Sequence, residues 1–408
     1  MRSKISAFIF LVFSFYISAA QQKFISVKGK ELIGVDGKNF LMKGTNLGNW
    51  LVPEGYMFKF KSANCPRLIN EVITELIGPD DAKIFWQKYL NTYITHADIH
   101  YLKSIGVNSI RIPFNYRLFT NEDYLGGRGD ARGFKLMDSV ISWCKKEKVF
   151  VILDMHCAPG GQTGDNIDDG YGYPFLFENE GSQKLVVDIW KKIAAHYKDE
   201  TIIMGYDLLN EPIAHYFDKE KLNPLLEVVY KKITKAIRMV DKNHILFLGG
   251  AQWDSNFGVF GPPFDNKLVY TFHKYWTEPT QKVIQDYIDF SNKYNVPIYC
   301  GETGENSDDW VKDFRVVLEK NNIGWHYWPY KKIDNTRGFV TFSVPQNYDT
   351  VMQYADTSRM SFEQIRKAKP KNIELVKQAL DGFLNNCKFI NCRPNKGYIE
   401  ALGFRTEK

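Results

Sequence analysis

Residues 202–212 read Ile202-Ile203-Met204-Gly205-Tyr206-Asp207-Leu208-Leu209-Asn210-Glu211-Pro212. The stretch opens as a near-continuous apolar run, the pattern of a parallel strand buried on both faces. It then ends on an amide, a carboxylate and a proline. Proline removes a ladder donor and biases Glu211, the residue before it, towards an extended backbone. A carboxylate at the C-terminal lip of a buried parallel strand is where barrel enzymes carry their chemistry. The plain alternative is a charged side chain that merely faces solvent at a strand end, and the rest of the chain argues against it.

Seven more such runs occur, at 41–45, 107–112, 149–155, 245–248, 268–272, 296–300 and 323–327. Amphipathic stretches alternate with them, among them 95–105, 134–146, 185–196, 222–240, 283–294 and 310–319. In the first of these, His96, His100 and Lys103 mark the wet face. Asp98 falls in the apolar arc, within the first turn where the helix dipole favours a carboxylate. Ahead of the alternation, 24–27, 31–35, the Asp36-Gly37 turn and 40–43 read as short strands that close one end of a domain. Eight strands alternating with helices predict a single (β/α)8 TIM barrel with a short N-terminal β-hairpin.

Polar residues gather at the strand ends. Arg111 closes the second strand, Asp154 and His156 the third, and Asn210-Glu211 the fourth. His273 and Tyr275 close the sixth, Glu302 the seventh and Trp328 the eighth. Any one of them alone reads as a satisfied core polar group; six strand ends on one barrel face read as a site.

This constellation resembles the retaining glycoside hydrolases of family 5, the cellulase family, over nearly all of the chain after residue 20. Asn210-Glu211-Pro212 matches the family's acid/base motif and Gly301-Glu302 its nucleophile motif. Arg111, His156, Asn210, His273, Tyr275 and Trp328 match its other active-site positions. The resemblance implies an O-glycosyl hydrolase in which Glu211 protonates the leaving oxygen and Glu302 attacks the anomeric carbon. Retention asks that such carboxyl groups stand ~5–5.5 Å apart. Arg111 is expected to keep Glu302 charged and oriented, Asn210 to bond the sugar 2-hydroxyl, Tyr275 to hold the second oxygen of Glu302, and Trp328 to floor the subsite at the scissile bond. Glu305, three residues past the strand end, is the rival nucleophile.

Residues Asn46-Leu47-Gly48-Asn49-Trp50-Leu51-Val52-Pro53-Glu54 resemble the corresponding stretch of the exo-β-1,3-glucanase branch, as does the loop from His156 to Gln162. By that resemblance Glu54, and Asp165 after the third strand, contact a terminal sugar, so that exo action on a β-glucan is favoured. The plain reading has Glu54 paired with a lysine such as Lys59. An endo-acting β-1,4-glucanase or mannanase with an open groove is the alternative. A non-catalytic carbohydrate-binding barrel is a more distant one.

Other motifs test negative. Gly160-Gly161-Gln162-Thr163-Gly164 lacks the Lys-Ser/Thr of a phosphate loop. A calcium loop opening at Asp165 would need ligands at its third and twelfth positions, where Ile167 and Leu176 stand. No His-x-His pair opens an early strand. The expectation is therefore no metal and no cofactor, with a β-linked carbohydrate as substrate.

Arg2 and Lys4, the apolar stretch 5–17 and Ser18-Ala19-Ala20 read as a signal peptide, 1–20, with a small-x-small cleavage site. Its removal takes the formal charge of +6 to +4, too mild to imply a nucleic-acid partner or a stable membrane partner. The expected product is exported, periplasmic or extracellular, with a catalytic domain over 21–385 and a C-terminal tail over 386–408. Aromatics make up 15% of residues, a high share; rings filling a large core explain most of them, and sugar clefts also use rings as platforms. Of six cysteines, Cys387 and Cys392 are the most plausible local pair, whereas Cys144 and Cys300 sit in patterns that bury a free thiol.

Overall fold

The computed structural model describes residues 24–406; the expected signal peptide lies outside them. Eight parallel strands close on themselves: β1 (Lys43–Asn46), β2 (Ser109–Asn115), β3 (Phe150–Cys157), β4 (Ile203–Asp207), β5 (Ile245–Gly249), β6 (Leu268–Lys274), β7 (Ile298–Gly304) and β8 (Gly324–Trp328). Each pairs with its successor, and β8 returns to β1 with Trp325 opposite Lys43. The (β/α)8 barrel expected from the sequence is the fold. Every residue of β2, β4, β5, β7 and β8 is buried, which is why these runs do not alternate apolar with polar.

Two apolar layers hold the barrel. Inside its N-terminal mouth, Ile25 and Leu32 of the antiparallel hairpin Ser26–Lys28/Glu31–Ile33 pack on Met42, Ile152, Met204, Phe247 and Tyr299. Outside, a larger layer joins the strands to α1 (Pro66–Ile77), α2 (Pro79–Thr92), α3 (His96–Ile105), α4 (Arg132–Glu147), α5 (Glu180–Tyr197), α6 (Lys219–Arg238), α7 (Gln285–Tyr294) and α8 (Asp308–Lys320). α3 begins with a reciprocal capping box between Thr95 and Asp98 and ends on Gly106 in left-handed backbone. Asp98 does more than answer the dipole. It is fully buried and accepts from Lys331 Nζ at 2.8 Å and from the Tyr330 hydroxyl at 3.0 Å.

Past the eighth strand the chain stays packed. Within the stretch expected as a tail, Arg393–Pro394 pairs with Val340–Phe342, and Tyr398, Ile399 and Leu402 are buried in the outer layer. All six cysteines are free thiols, Cys387 and Cys392 included.

One backbone expectation fails. Glu211 is not extended; its φ is 45°, left-handed. Tertiary hydrogen bonds override the preference of a pre-proline residue. The Glu211 carbonyl accepts from Thr163 Oγ1 at 2.8 Å, and the amides of Ile213 and Ala214 donate to Gln162 and Thr163 carbonyls at 2.8 and 3.0 Å. Strain of this kind persists where its surroundings over-determine it.

Candidate active site

The floor of the site is one cation among acids. Arg111, fully buried on β2, donates to Asp207 Oδ2 at 2.8 Å, Glu302 Oε1 at 2.6 Å, Asn46 Oδ1 at 3.1 Å and Asn210 Oδ1 at 2.9 Å. It also stands 3.1 Å from Asp154 Oδ1. Burial pushes the Asp154 and Asp207 carboxyls up to about 7 against the pull of the guanidinium. Asp154 Oδ2 meets His156 Nδ1 at 2.8 Å, which fixes the imidazole; burial holds His156 down to about 4. Asn210 sits in this floor layer, its Nδ2 3.4 Å from His156 Nε2.

Above the floor stand the two glutamates. Glu302 is held at both oxygens, by Arg111 at Oε1 and by the Tyr275 hydroxyl at Oε2 at 3.1 Å. Glu211 Oε1 meets His273 Nδ1 at 2.9 Å. One oxygen of each glutamate lies within 4.8 Å of the other, a closeness that suits the pairs of retaining enzymes (~5–5.5 Å between carboxyl groups) and leaves no room for the ~6.5–9.5 Å that inversion needs. Burial pushes the Glu211 carboxyl up to about 7, with His156 and Arg111 opposing it. The Tyr275 phenol is pushed well above its ordinary value by burial and by Glu302, so it donates.

A change of register sets this geometry. β6 and β7 pair Phe272 with Cys300 and then His273 with Glu302, so that Gly301 is the extra residue. A Cβ there would lie 2.4 Å from Thr271 Oγ1 and 2.9 Å from His273 Nε2; only glycine fits.

A cavity of about 540 Å³ opens over the glutamates, lined by Glu54, Tyr56, His156, His273, Tyr275, Glu305 and Trp328, with Trp253 and Trp276 at its rim. Trp328 stacks on His156 at 5.6 Å and donates to the Tyr56 hydroxyl at 2.7 Å. Glu54 is buried, and its Oε1 has no partner among the described residues. Lys59, its plain alternative partner, pairs with Asp334 at 3.0 Å. Burial, Glu302, Glu305 and Glu211 push the Glu54 carboxyl well above its ordinary value. Glu305 lines the same cavity and pairs with Lys332.

Asp165 stands apart from the other residues expected at the site. It lines a neighbouring hollow instead, where Oδ1 accepts from the Asn166 amide at 2.6 Å and Oδ2 from the Tyr216 hydroxyl. Its side chain serves as the cap of a short turn. The residues from that loop that reach the cavity are Asn166 and Ile167. The acids beside it are loop staples: Asp168 takes the amides of Thr163, Gly164 and Gly170, and Asp169 takes Arg117.

The sequence reading missed Asn46, Tyr56, Asp207 and Asp254, whose Oδ2 accepts from the Glu211 amide at 3.4 Å, as parts of the site. Asp207 was visible as a charge inside the apolar run at 202–209, a placement that calls for a buried partner. Among the described residues, Asp154–His156–Glu302 and Glu211–His273–Glu302 bring donor atoms within 4.8 Å. In both triplets the carboxylates already face Arg111, Tyr275 or a histidine.

Comparison with known proteins shows which chains this one resembles. A β-xylosidase of Phanerodontia chrysosporium is 34% identical over 403 residues, covering 87% of this chain and 82% of its own. Endoglucanase C of Acetivibrio thermocellus is 27% identical, covering 62% and 88%. A glucan 1,3-β-glucosidase of Candida oleophila is 28% identical, covering 62% of each. Among solved structures, an endogalactoceramidase superposes with a TM-score of 0.61 at 16% identity over 93% of this chain and 84% of its own. The endoglucanase Cel5A of Thermotoga maritima superposes with 0.51 at 20% over 88% and 96%. Residues 73–333, from α1 through the eighth strand, match the family model described as cellulase (glycosyl hydrolase family 5). With its barrel closed and two glutamates facing each other at retaining distance, the chain belongs to glycosyl hydrolase family 5, a family of retaining β-glycosidases.

Proposed function

We propose that the protein is an exported, exo-acting β-glycosidase that removes single sugars from the non-reducing end of a β-linked glucan. Glu302 is the nucleophile: it attacks the anomeric carbon while Glu211 gives its proton to the leaving oxygen. Glu211 then takes a proton from water, whose oxygen displaces Glu302, and the configuration is retained. Arg111 and Tyr275 orient Glu302, Asn210 bonds the 2-hydroxyl, and Trp328 stacked on His156 floors the subsite. Export rests on the basic, apolar and small-residue pattern of 1–20. Among the described residues no helix is long and apolar enough to cross a membrane.

The observation that carries exo action is Glu54. A buried carboxyl with a free oxygen, in the same cavity as both glutamates, is a ready partner for the hydroxyls of a chain terminus. The names of two relatives, a β-xylosidase and a glucan 1,3-β-glucosidase, also denote enzymes that act on terminal sugars. A second reading, a terminal β-xyloside, is favoured by the 34% identity to the former.

Chromatography of early products tests the proposal. Glucose alone from a β-glucan is the expected result, with Glu54→Ala losing activity on a terminal glycoside and keeping its fold. Xylose release in preference to glucose selects the second reading. A ladder of oligosaccharides with rapid loss of viscosity overturns exo action in favour of an open groove.

A further inference from the structure

Glu305, the rival nucleophile by sequence, stands just past β7 with a φ of 52°, left-handed backbone for a residue with a Cβ. Such backbone is unfavourable and persists only where contacts over-determine it. Two contacts do so here. Arg337 Nη1 donates to the Glu305 carbonyl at 3.3 Å, and Lys332 Nζ donates to Oε1 of the carboxylate. Lys332 belongs to the short strand Lys331–Ile333, which pairs with Val340–Phe342. Its ammonium stands 5.1 Å from the centre of the Tyr56 ring, and the Tyr56 hydroxyl accepts from the Trp328 indole at 2.7 Å. Glu305 is thereby set in the wall that Tyr56 and Trp328 build. Glu54 is near enough for the charge of Glu305 to raise its carboxyl.

The plain reading of the Glu305–Lys332 pair is a latch that ties the loop after β7 to the segment after β8. A latch would use Oε1 and bury the rest. The Glu305 side chain is 16% exposed and lines the cavity, whereas the Lys332 side chain, 7% exposed, does not. Oε2 of Glu305 accepts from no described residue and faces the cavity. One oxygen is thus tied to the ammonium while the other stays free. Four glutamates line that cavity, and no lysine or arginine does. Such a wall suits the hydroxyls of a neutral sugar, which are donors, and repels a sugar acid. A charged oxygen is the stronger acceptor, and the ion pair keeps this one from swinging away.

We infer that Glu305 is a specificity-determining residue: anchored by Lys332, it accepts at Oε2 a hydrogen bond from one hydroxyl of the terminal sugar. The inference rests on the reading of the cavity as the pocket of such a sugar. Two carboxyl groups, Glu54 from the loop after β1 and Glu305 from the loop after β7, then read the sugar together. A sugar without the matching hydroxyl leaves Oε2 with no donor, the kind of mismatch by which polar sites discriminate most sharply.

Variants of Glu305 are assayed on substrates that lack single hydroxyls. Aryl β-glucosides deoxygenated at carbon three, four or six, and the aryl β-xyloside, which lacks the hydroxymethyl group, are compared with the parent glucoside by kcat/KM. One of these deletions is expected to cost the wild type about 10- to 100-fold and to cost Glu305→Gln almost nothing further. The amide oxygen of that variant still accepts from Lys332, so the latch holds, while its NH2 group puts a donor where the cavity had an acceptor. On the parent glucoside Glu305→Gln should lose the same factor with its melting temperature unchanged. Glu305→Ala should lose it as well, and melt lower because Lys332 is left unpaired. Wild-type kcat/KM in Glu305→Gln overturns the inference, as does an equal loss on the parent and on every analogue. A ladder of oligosaccharides from a β-glucan with the wild type would instead sink the exo reading and leave the coupling between Glu305 and the deleted hydroxyl standing.

Discussion

Arg111 Nη1 stands 2.6 Å from Glu302 Oε1, and both side chains are almost wholly shut off from solvent. A charge pair so placed is a device for aim as much as for attraction. With Oε1 taken by the guanidinium and Oε2 by Tyr275, the carboxylate is fixed in plane and direction before any sugar arrives.

Replacing either glutamate should therefore abolish chemistry and spare the fold. Glu211→Gln is expected to cost about 10²–10⁴-fold in kcat, and Glu302→Gln at least as much. Azide added to Glu302→Ala should attack the open face of the anomeric carbon and give a glycosyl azide of inverted configuration. Circular dichroism and product analysis check both halves; wild-type-like activity in Glu302→Gln would refute the assignment.

Activity should fall as pH rises through about 7, the value to which burial pushes Glu211. The limb belongs to the coupled pair of glutamates, not to one alone. The same shift has a thermodynamic face. A carboxyl that ionises at 4.5 when unfolded and at about 7 when folded costs stability as pH climbs between the two, and the loss is complete above the folded value. Glu211→Gln cannot ionise. It should gain melting temperature relative to the wild type on the alkaline side of that window, and gain less on the acid side.

Lys331→Met should destabilise strongly. Lys331 Nζ donates to the Tyr93 and Cys387 carbonyls at 2.6 and 2.8 Å and neutralises Asp98. Its loss strands a buried carboxylate, at a cost of ~3–5 kcal/mol. The double variant Lys331→Met/Asp98→Leu should recover part of that cost in denaturant melts.

Gly301→Ala should strike both fold and turnover, since its methyl group would press on Thr271 Oγ1 and His273 Nε2. Overpacking of this kind costs ~1–3 kcal/mol. Adding Thr271→Ala should restore stability and leave kcat low, because the His273 contact remains.

What the sequence disclosed follows from what periodicity can carry. Eight apolar runs bounded by polar residues were readable because a strand covered on both faces leaves no wet side. Glu302, Arg111 and Tyr275 were readable because strand ends fix where side chains emerge. Glu211's left-handed backbone was not, since its cause lies in the loop 162–163, distant in sequence. Asp254 was hidden for the same reason: no repeat marks a turn of three left-handed residues. The place of Asp165 was not readable either, because an acid at that spacing can equally be a turn cap.

The barrel's seam joins residues 43–45 to 325–327. A ribosome therefore makes some 280 residues between the two halves of one ladder, and through that interval β1 shows an unpaired edge to whatever is near. Newly made chains with such edges are open to pairing with one another. The packing of Tyr398 and Ile399 comes later still. For this protein, yield on expression should be limited by how long the seam stays open, and slower synthesis of the last hundred residues should lower it.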